Sequence, residues 1–291
     1  MSSRTVKSFH PYLGRTFVMA TKHEKERILR PILASHLGVN VELAEAVDTD
    51  CLGTFSGEIT RQGTPLETAI KKARLGIQAT GIPIGIANEG SFGPHPQMPF
   101  FNSDQELLVL VDIERDIVIE EYVVSASTNV GEIKVSTMDQ AEDFLANCKF
   151  GSHALVVRPN SSFSSDKIQK GILDRQALAR VVQYCATHSA DGLAHIETDM
   201  RAHLNPTRQN VIAEAGEKFA RRIKSLCSEC GNPGWGVVDC IMGLPCETCR
   251  SPTQLIHKEI EGCVKCAFRK VLPRSDGKAN APTHLCPACN P

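Results

Sequence analysis

The feature that most constrains this chain is a set of four Cys-x-x-Cys pairs near its C-terminal end. The pairs are Cys227/Cys230, Cys246/Cys249, Cys263/Cys266 and Cys286/Cys289. Fifteen residues separate the first pair from the second and nineteen separate the third from the fourth, and both gaps match zinc-ribbon spacing. Zinc prefers thiolate ligands, and eight thiolates complete two closed tetrahedral sites that are structural rather than catalytic. The sequence therefore predicts a double zinc-ribbon module with two ions over residues 223–291.

Two combinations of these pairs are open. Pairs that are neighbours in sequence are the preferred partners, so that 227/230 would join 246/249 and 263/266 would join 286/289. A crossed combination is the alternative. Nine of the twelve cysteines lie between Cys227 and Cys289. The first residues lack the apolar core of a signal peptide, so this clustering indicates metal binding in the cytoplasm rather than disulfides.

Charge and hydropathy narrow the classes of partner. The chain has a formal net charge of −1, so no overall field attracts it to nucleic acid or to an anionic membrane. Its longest apolar run, residues 107–111, is too short to cross a bilayer, and no membrane contact is expected. From residue 223 onward there are eight Lys and Arg and six Asp and Glu. Two four-thiolate zinc sites would each add a charge of −2, so the formal net charge of this region would be about −2. Protein contact through the zinc module is therefore favoured, and RNA contact is the alternative.

The first 222 residues carry strand and helix signals in alternation. Buried strands are predicted over residues 15–21, 39–47, 82–87, 153–158 and 193–197, and a hairpin over 105–125. Thr64-Pro65-Leu66-Glu67 is a capping box that starts a helix running to Thr80. The strand–helix–strand order over 153–197 predicts a right-handed parallel crossover. The expected fold over 1–222 is an α/β domain in which helices flank a mixed sheet.

A polar segment, residues 195–208, stands between the last predicted strand and the last helix. Asn205 and Pro206 have the residue types of a helix N-cap and first helical position. In α/β sheets ligands bind at this kind of junction, where free amides and the helix dipole favour an anion. The alternative is that Asp199 and Arg208 form an ion pair that only shapes the turn.

Charged residues also follow two other predicted strands. Lys22 and Lys25 come after the first strand, and Glu89 comes after the strand over 82–87, beside glycines that let a ligand approach the backbone. The loops near 21–25, 48–58, 88–95 and 198–208 are therefore candidates to converge on one site.

These residues predict a metal-dependent hydrolase of a phosphorylated small molecule. Glu89, with Asp199 or Glu197, would hold Mg²⁺ through oxygen ligands, and the cation would polarise a phosphoryl oxygen. The side chains expected to neutralise the phosphates are Lys22, Lys25, Arg201 and Arg208. His203 is the candidate for proton transfer, since an unperturbed imidazole titrates near neutrality. The competing hypothesis is a binding protein that senses an anionic ligand and uses its zinc module to contact a partner.

Several motifs resemble known families. The segments 53–57 (GTFSG), 89–96 (EGSFGPHP), 197–203 (ETDMRAH) and 205–208 (NPTR), with the cysteine-rich tail, resemble an uncharacterised bacterial family, a domain of unknown function. More distantly, residues 16–130 resemble the inosine-triphosphate pyrophosphatase-like, house-cleaning nucleotide pyrophosphatases. That resemblance lies in the Ala20-Thr21 strand end, the helix over 64–73 and the Glu89-Gly90 turn before a hairpin. It implies a nucleotide as substrate.

Overall fold

The computed structural model describes residues 9–45, 47, 63–96, 98–161 and 165–291. The predicted ligand loop over 48–58, with its GTFSG motif, lies outside the described residues. Among the described helices, none combines the length and the apolar composition that crossing a bilayer requires.

A five-stranded mixed sheet, the large sheet, forms the first half of the chain. Its strands are β1 (Thr16–Met19), β2 (Asn40–Leu43), β3 (Ile84–Pro94), β4 (Asn102–Asp112) and β5 (Ile117–Ser125). They lie in the order β2-β1-β3-β4-β5, with β1 parallel to both neighbours and β3, β4 and β5 antiparallel. The predicted hairpin over 105–125 is confirmed in β4 and β5.

Helices cover both faces of the large sheet. Helices α1 (Glu26–Leu37) and α5 (Pro206–Lys224) pack on one face, around Phe17, Ile86 and Phe219. Helix α2 (Pro65–Thr80) packs on the other face, against Val18 and Val109. The mixed α/β class expected from the sequence is thus confirmed.

Local caps define the helix ends as predicted. The Thr64 side chain accepts a hydrogen bond from the Glu67 amide, and the Glu67 carboxylate accepts one from the Thr64 amide. These two bonds form the full capping box at the start of α2. Gly81 ends α2 with φ of 74°, a left-handed conformation that favours glycine. At α5, the Asn205 side chain accepts the Arg208 amide.

A separate four-stranded antiparallel sheet, the small sheet, follows. Its strands are β6 (Glu132–Val135), β7 (Leu155–Pro159), β8 (Gln169–Ile172) and β9 (Ala194–Thr198), in the order β6-β9-β7-β8. Helix α3 (Glu142–Asn147) and helix α4 (Arg175–Thr187) contribute Leu145 and Val182 to its own hydrophobic core.

The small sheet contradicts the predicted parallel crossover over 153–197, because β7 and β9 are antiparallel. The short strand β8, which the sequence pattern did not reveal, pairs with β7 and reverses the chain before α4 begins. Helix α4 then returns the chain, so β9 enters the sheet opposite to β7.

Strand β3 also differs from its prediction. It does not end at Ala87 but continues to Pro94, because β4 pairs with it over eleven residues from Ile84 to Pro94. Glu89 therefore lies inside a strand rather than at a strand end. The polar run that suggested a turn is instead a strand segment whose backbone is satisfied by β4.

The C-terminal region forms a three-stranded antiparallel sheet of β10 (Gly236–Met242), β11 (Ile256–Gly262) and β12 (Arg269–Pro273). Arg222 near the end of α5 donates to the carbonyl oxygens of Gly234 and Val237 at 2.8 and 2.7 Å. Val264 packs against the core shared by α1, α5 and the large sheet. These contacts join the module to the preceding α/β region.

Candidate functional site

Two four-cysteine groups stand at opposite ends of the C-terminal sheet. One consists of Cys227, Cys230, Cys263 and Cys266, and the other of Cys246, Cys249, Cys286 and Cys289. In each group all four Sγ atoms lie within 4.8 Å of one another, and the Sγ–Sγ distances between facing cysteine pairs include values from 3.5 to 4.0 Å. A tetrahedron with metal–sulfur bonds of about 2.3 Å has edges of about 3.8 Å, so both groups fit a bound zinc-sized ion.

The preferred pairing of sequence neighbours is wrong, and the crossed alternative is correct. Antiparallel pairing of Gly236 with Gly262 brings the start of β10 to the end of β11, so the first cysteine pair meets the third. At the other end of the sheet, Met242 pairs with Ile256, and Pro273 pairs with Lys258. The second and fourth cysteine pairs follow β10 and β12 at that end, so they meet there.

Backbone amides support the thiolates in both groups. The amides of Lys265 and Cys266 donate to Cys263 Sγ at 3.3 and 3.4 Å, and the Thr248 amide donates to Cys246 Sγ at 3.4 Å. Such donors stabilise a negatively charged sulfur and fix its direction. The module can therefore hold two metal ions in preformed sites.

Glu89 faces α2. Because neighbouring strand residues point to opposite faces, Glu89 shares its face with Ala87 and the α2 core, whereas Asn88 and Gly90 face α1 and α5. The Glu89 carboxylate forms a buried ion pair with Lys72 of α2, a residue that the sequence analysis did not select. Helix α2 carries three cations, Lys71, Lys72 and Arg74, and its sequence does not show which of them meets a buried acid.

Five buried polar side chains, the polar cluster, lie on the other face of the large sheet. They are Lys25, Asn88, Asp104, Glu106 and Arg208. Arg208 Nε donates to Glu106 Oε1 at 2.7 Å, and Asn88 Nδ2 donates to Glu106 Oε2 at 2.7 Å. Lys25 Nζ donates to the Asn88 carbonyl at 2.9 Å. Lys25 and Arg208 are thus committed to internal partners.

Asp104 is the unusual member of the polar cluster. It is 0% exposed, and neither of its carboxylate oxygens has a hydrogen-bond partner among the described residues. Burial, and then the charge of Glu106, raises the pKa of Asp104 to about 8. Burial, and then the charge of Arg208, lowers the pKa of Lys25 to about 7. Asp104 and Glu106 were missed in the sequence, although they alternate in phase with the core residues Leu108 and Leu110.

The structure tests the alternative of an Asp199–Arg208 ion pair, and each residue has a different partner. Asp199 is 0% exposed and pairs with Arg201, whose Nη2 lies 2.6 Å from Asp199 Oδ2. The Gly171 amide also donates to Asp199 at 3.1 Å. Burial acts to raise the pKa of Asp199, but the hydrogen bonds from Arg201 outweigh it, so this pKa is lowered.

The first turn of α5 does not offer the free amides expected for an anion. Asn205 Oδ1 accepts the Arg208 amide at 3.0 Å, and His153 Nε2 accepts the Thr207 amide at 3.1 Å. Arg208 also donates from Nη1 to the Met200 carbonyl, which ties the loop after β9 to the polar cluster. This part of the chain is a buried junction between the two sheets.

Four of the residues predicted from the polar segment do lie together. Glu197 lies near the end of β9 and interacts electrostatically with Asp199, which follows that strand, and Arg201 and His203 lie in the same loop. The His203 ring stacks on His23, with ring centroids 5.4 Å apart and planes 18° apart. Burial, and then the charge of Arg201, lowers the pKa of His203. Loops from the large and small sheets therefore meet at these two rings, with Lys22 exposed beside His23.

Glu197 also belongs to a second cluster. Glu132 of β6, His195 and Glu197 place one ligand atom each within 4.8 Å of the others. His195 Nε2 lies 3.1 Å from Glu132 Oε2. The structure therefore joins Glu197 to Glu132 and His195, whereas Glu89 faces α2 on the far side of the large sheet.

No curated protein and no solved structure gives a match. One family model does match, over residues 72–291, and its description is a domain of unknown function. This match spans α2 to the C-terminal residue and includes both four-cysteine groups. Because it covers well over half of the chain, the protein belongs to the DUF6671 family.

Proposed function

We propose that this protein is a metal-dependent hydrolase of a phosphorylated small molecule, and that the reaction takes place where the His23 and His203 rings meet. The observation that carries the proposal is this stack, because it joins loops from two separate sheets at 5.4 Å. Ligand sites are common where two lobes of a structure meet and polar groups converge.

Charges around the stack suit an anionic substrate. Lys22 is exposed, and Arg201 is partly exposed while Asp199 fixes its orientation. Arginine held in this way can clamp phosphate oxygens, and the lysine adds a second positive charge. The imidazole of His203, whose pKa is lowered by burial and by Arg201, is neutral near pH 7 and can accept a proton from water.

Lys25 and Arg208 take a positioning role in this proposal instead of contacting phosphate. Arg208 holds the Met200 carbonyl and so sets the path of the loop that carries Arg201 and His203. Lys25 Nζ donates to the Asn88 carbonyl oxygen and so holds the backbone of β3 at that residue. Glu89 would have to leave Lys72 before it could hold a cation, so we do not assign it that role.

A nucleotide is our preferred substrate class. The support is the resemblance of residues 16–130 to nucleotide pyrophosphatases, together with the stacked rings, because an aromatic pair at the mouth of a site can also stack on a base. In such an enzyme water would attack a phosphorus atom, the bond to the bridging oxygen would break, and His203 would accept the water proton.

The test is phosphate or pyrophosphate release from a panel of nucleotides and sugar phosphates, with and without added Mg²⁺ or Mn²⁺. His203→Gln is expected to lower kcat/KM by about 100-fold or more, the usual range for a general base. His188→Gln is the matched control, because the His188 ring also contacts a neighbouring ring, that of Tyr184, but lies at the C-terminal cap of α4. Ligand-induced stabilisation without turnover would instead establish the competing binding function, and full activity in His203→Gln would refute the assigned role.

We also propose that both four-cysteine groups hold zinc and that their role is structural. The support is the four-thiolate donor set and the closed geometry, which leaves no position for a substrate. Metal analysis of the purified chain is expected to give two zinc ions.

The partner that we propose for the C-terminal sheet is a protein rather than RNA. The support is its exposed apolar side chains, among them Val237, Met242 and Val271.

A further inference from the structure

We propose that Glu132, His195 and Glu197 form a binding site for a divalent transition-metal ion. This proposal rests on the proposed function in one respect only, that the bound ion would be the cation used in the hydrolysis. Two of the three residues come from one strand, β9, and the third from its neighbour, β6. The binding itself follows from the geometry of the small sheet.

The strand register builds the ligand set. Glu132 lies directly opposite Glu197 in the antiparallel pair, and His195 lies two residues before Glu197 on the same face. All three ligand atoms lie within 4.8 Å of one another. An ion with bonds of about 2.0–2.2 Å requires ligand atoms roughly 3–4 Å apart, so only a small side-chain adjustment is needed.

The burial of His195 is a second observation that favours a ligand. His195 is 5% exposed, and its Nδ1 atom has no hydrogen-bond partner in the described part of the chain. Its Nε2 atom points to Glu132. The buried ring is therefore held with one nitrogen, Nε2, directed at the Glu132 carboxylate.

The strand register also favours a cation between Glu132 and Glu197. Like charges directly opposite each other in an antiparallel pair are destabilising, yet Glu132 and Glu197 occupy such positions. Lys134 and Arg158 lie opposite His195 on its two sides, and their formal charges offset those of the two carboxylates. With a dication bound, the formal charges of the ion, of its three ligand side chains and of Lys134 and Arg158 sum to +2. This net positive charge suits a phosphorylated ligand next to the ion.

The donor set selects the class of ion. Imidazole nitrogen with two carboxylates favours Mn²⁺, Zn²⁺ or Fe²⁺ over Mg²⁺ and Ca²⁺, which prefer oxygen alone. Three protein ligands leave positions open for water or substrate, as in catalytic metal sites. Glu197 interacts electrostatically with Asp199, and Asp199 orients Arg201. An ion bound here would therefore lie near Arg201, the side chain that we propose binds the phosphate oxygens.

The experiment is a Mn²⁺ titration of the full chain, with its cysteine sites already loaded with zinc, followed by electron paramagnetic resonance of free Mn²⁺. The wild type is expected to bind one Mn²⁺. Glu132→Gln and Glu197→Gln should each weaken binding by at least about tenfold, since even a change outside the ligand shell causes such a loss. Glu132 is 65% exposed at its side chain, so its substitution leaves the fold intact.

Glu142→Gln is the matched control, because Glu142 is a carboxylate of the same region that pairs with Arg175 on the surface. Its Mn²⁺ affinity should equal that of the wild type. Unchanged affinity in Glu132→Gln and Glu197→Gln, or no Mn²⁺ binding by the wild type, would overturn the site. Mn²⁺ binding that these two variants lose, in a protein without turnover, would support the site while removing the proposed hydrolysis.

Discussion

Replacing the buried carboxyl group of Asp104 by an amide should change the pH dependence of stability. Burial and the neighbouring Glu106 raise the pKa of Asp104 to about 8 in the folded chain, and an unfolded aspartate titrates near 3.9. The folded state therefore holds a proton that the unfolded state releases between these values. Because the folded-state pKa of Asp104 is raised, its contribution to stability is present in full at pH values below the pKa of the unfolded aspartate. This contribution is lost as the pH rises towards about 8.

The magnitude follows from the size of this window. Each pH unit inside it lowers the free energy of unfolding by about 1.4 kcal/mol for one proton. Between pH 5 and pH 7.5, Asp104→Asn should consequently gain about 3 kcal/mol relative to the wild type. The amide of the variant does not ionise, and it can donate a hydrogen bond to a neighbouring carboxylate such as Glu106.

The assay is urea unfolding followed by far-ultraviolet circular dichroism at both pH values, with zinc present throughout. Asp112→Asn is the matched control on the same strand. Asp112 is also buried, but its carboxylate accepts hydrogen bonds from the Tyr12 hydroxyl and from the amides of Glu114 and Arg115. The control should therefore lose stability at both pH values. If the difference between Asp104→Asn and wild type is independent of pH, Asp104 is ionised throughout and the reasoning fails.

Three further outcomes are expected. Cys263→Ser should reduce the zinc content from two ions per chain to one, as metal analysis would show, and a content of two would contradict the first four-cysteine group. Thr64→Ala should lower the free energy of unfolding by about 1 kcal/mol because it removes the capping box of α2; an unchanged urea midpoint would argue against that cap. Arg208→Met should cost about 3–5 kcal/mol because it leaves Glu106 buried without its ion-pair partner, and adding Glu106→Gln should recover part of this loss in a double-mutant cycle.

Features that depend on neighbouring residues in the chain were predictable. The Thr64–Glu67 capping box and the Asn205 cap use side chains that reach amides three residues away, so the sequence pattern contains the whole interaction. The β4–β5 hairpin follows from alternating residues and a short polar turn. The spacing of the cysteine pairs likewise indicates a module that could hold metal ions.

Contacts between distant residues were not predictable in the same way. The face on which Glu89 lies depends on how far β3 continues, and that depends on its eleven-residue pairing with β4. The ion pair between Arg208 and Glu106 joins residues 102 positions apart. For the same reason, Glu132 became a neighbour of Glu197 only through the register of β6 and β9.

The sequence by itself determined that this chain has an α/β region followed by a cysteine-rich module that could hold metal ions, because residue type, spacing and local caps set these features. The tertiary structure alone decided which cysteines lie together, that β9 runs antiparallel to β7, and which acids and cations face each other. The physical reason is that strand order and register bring together residues far apart in the chain. A shift of one residue in a strand moves each side chain to the opposite face.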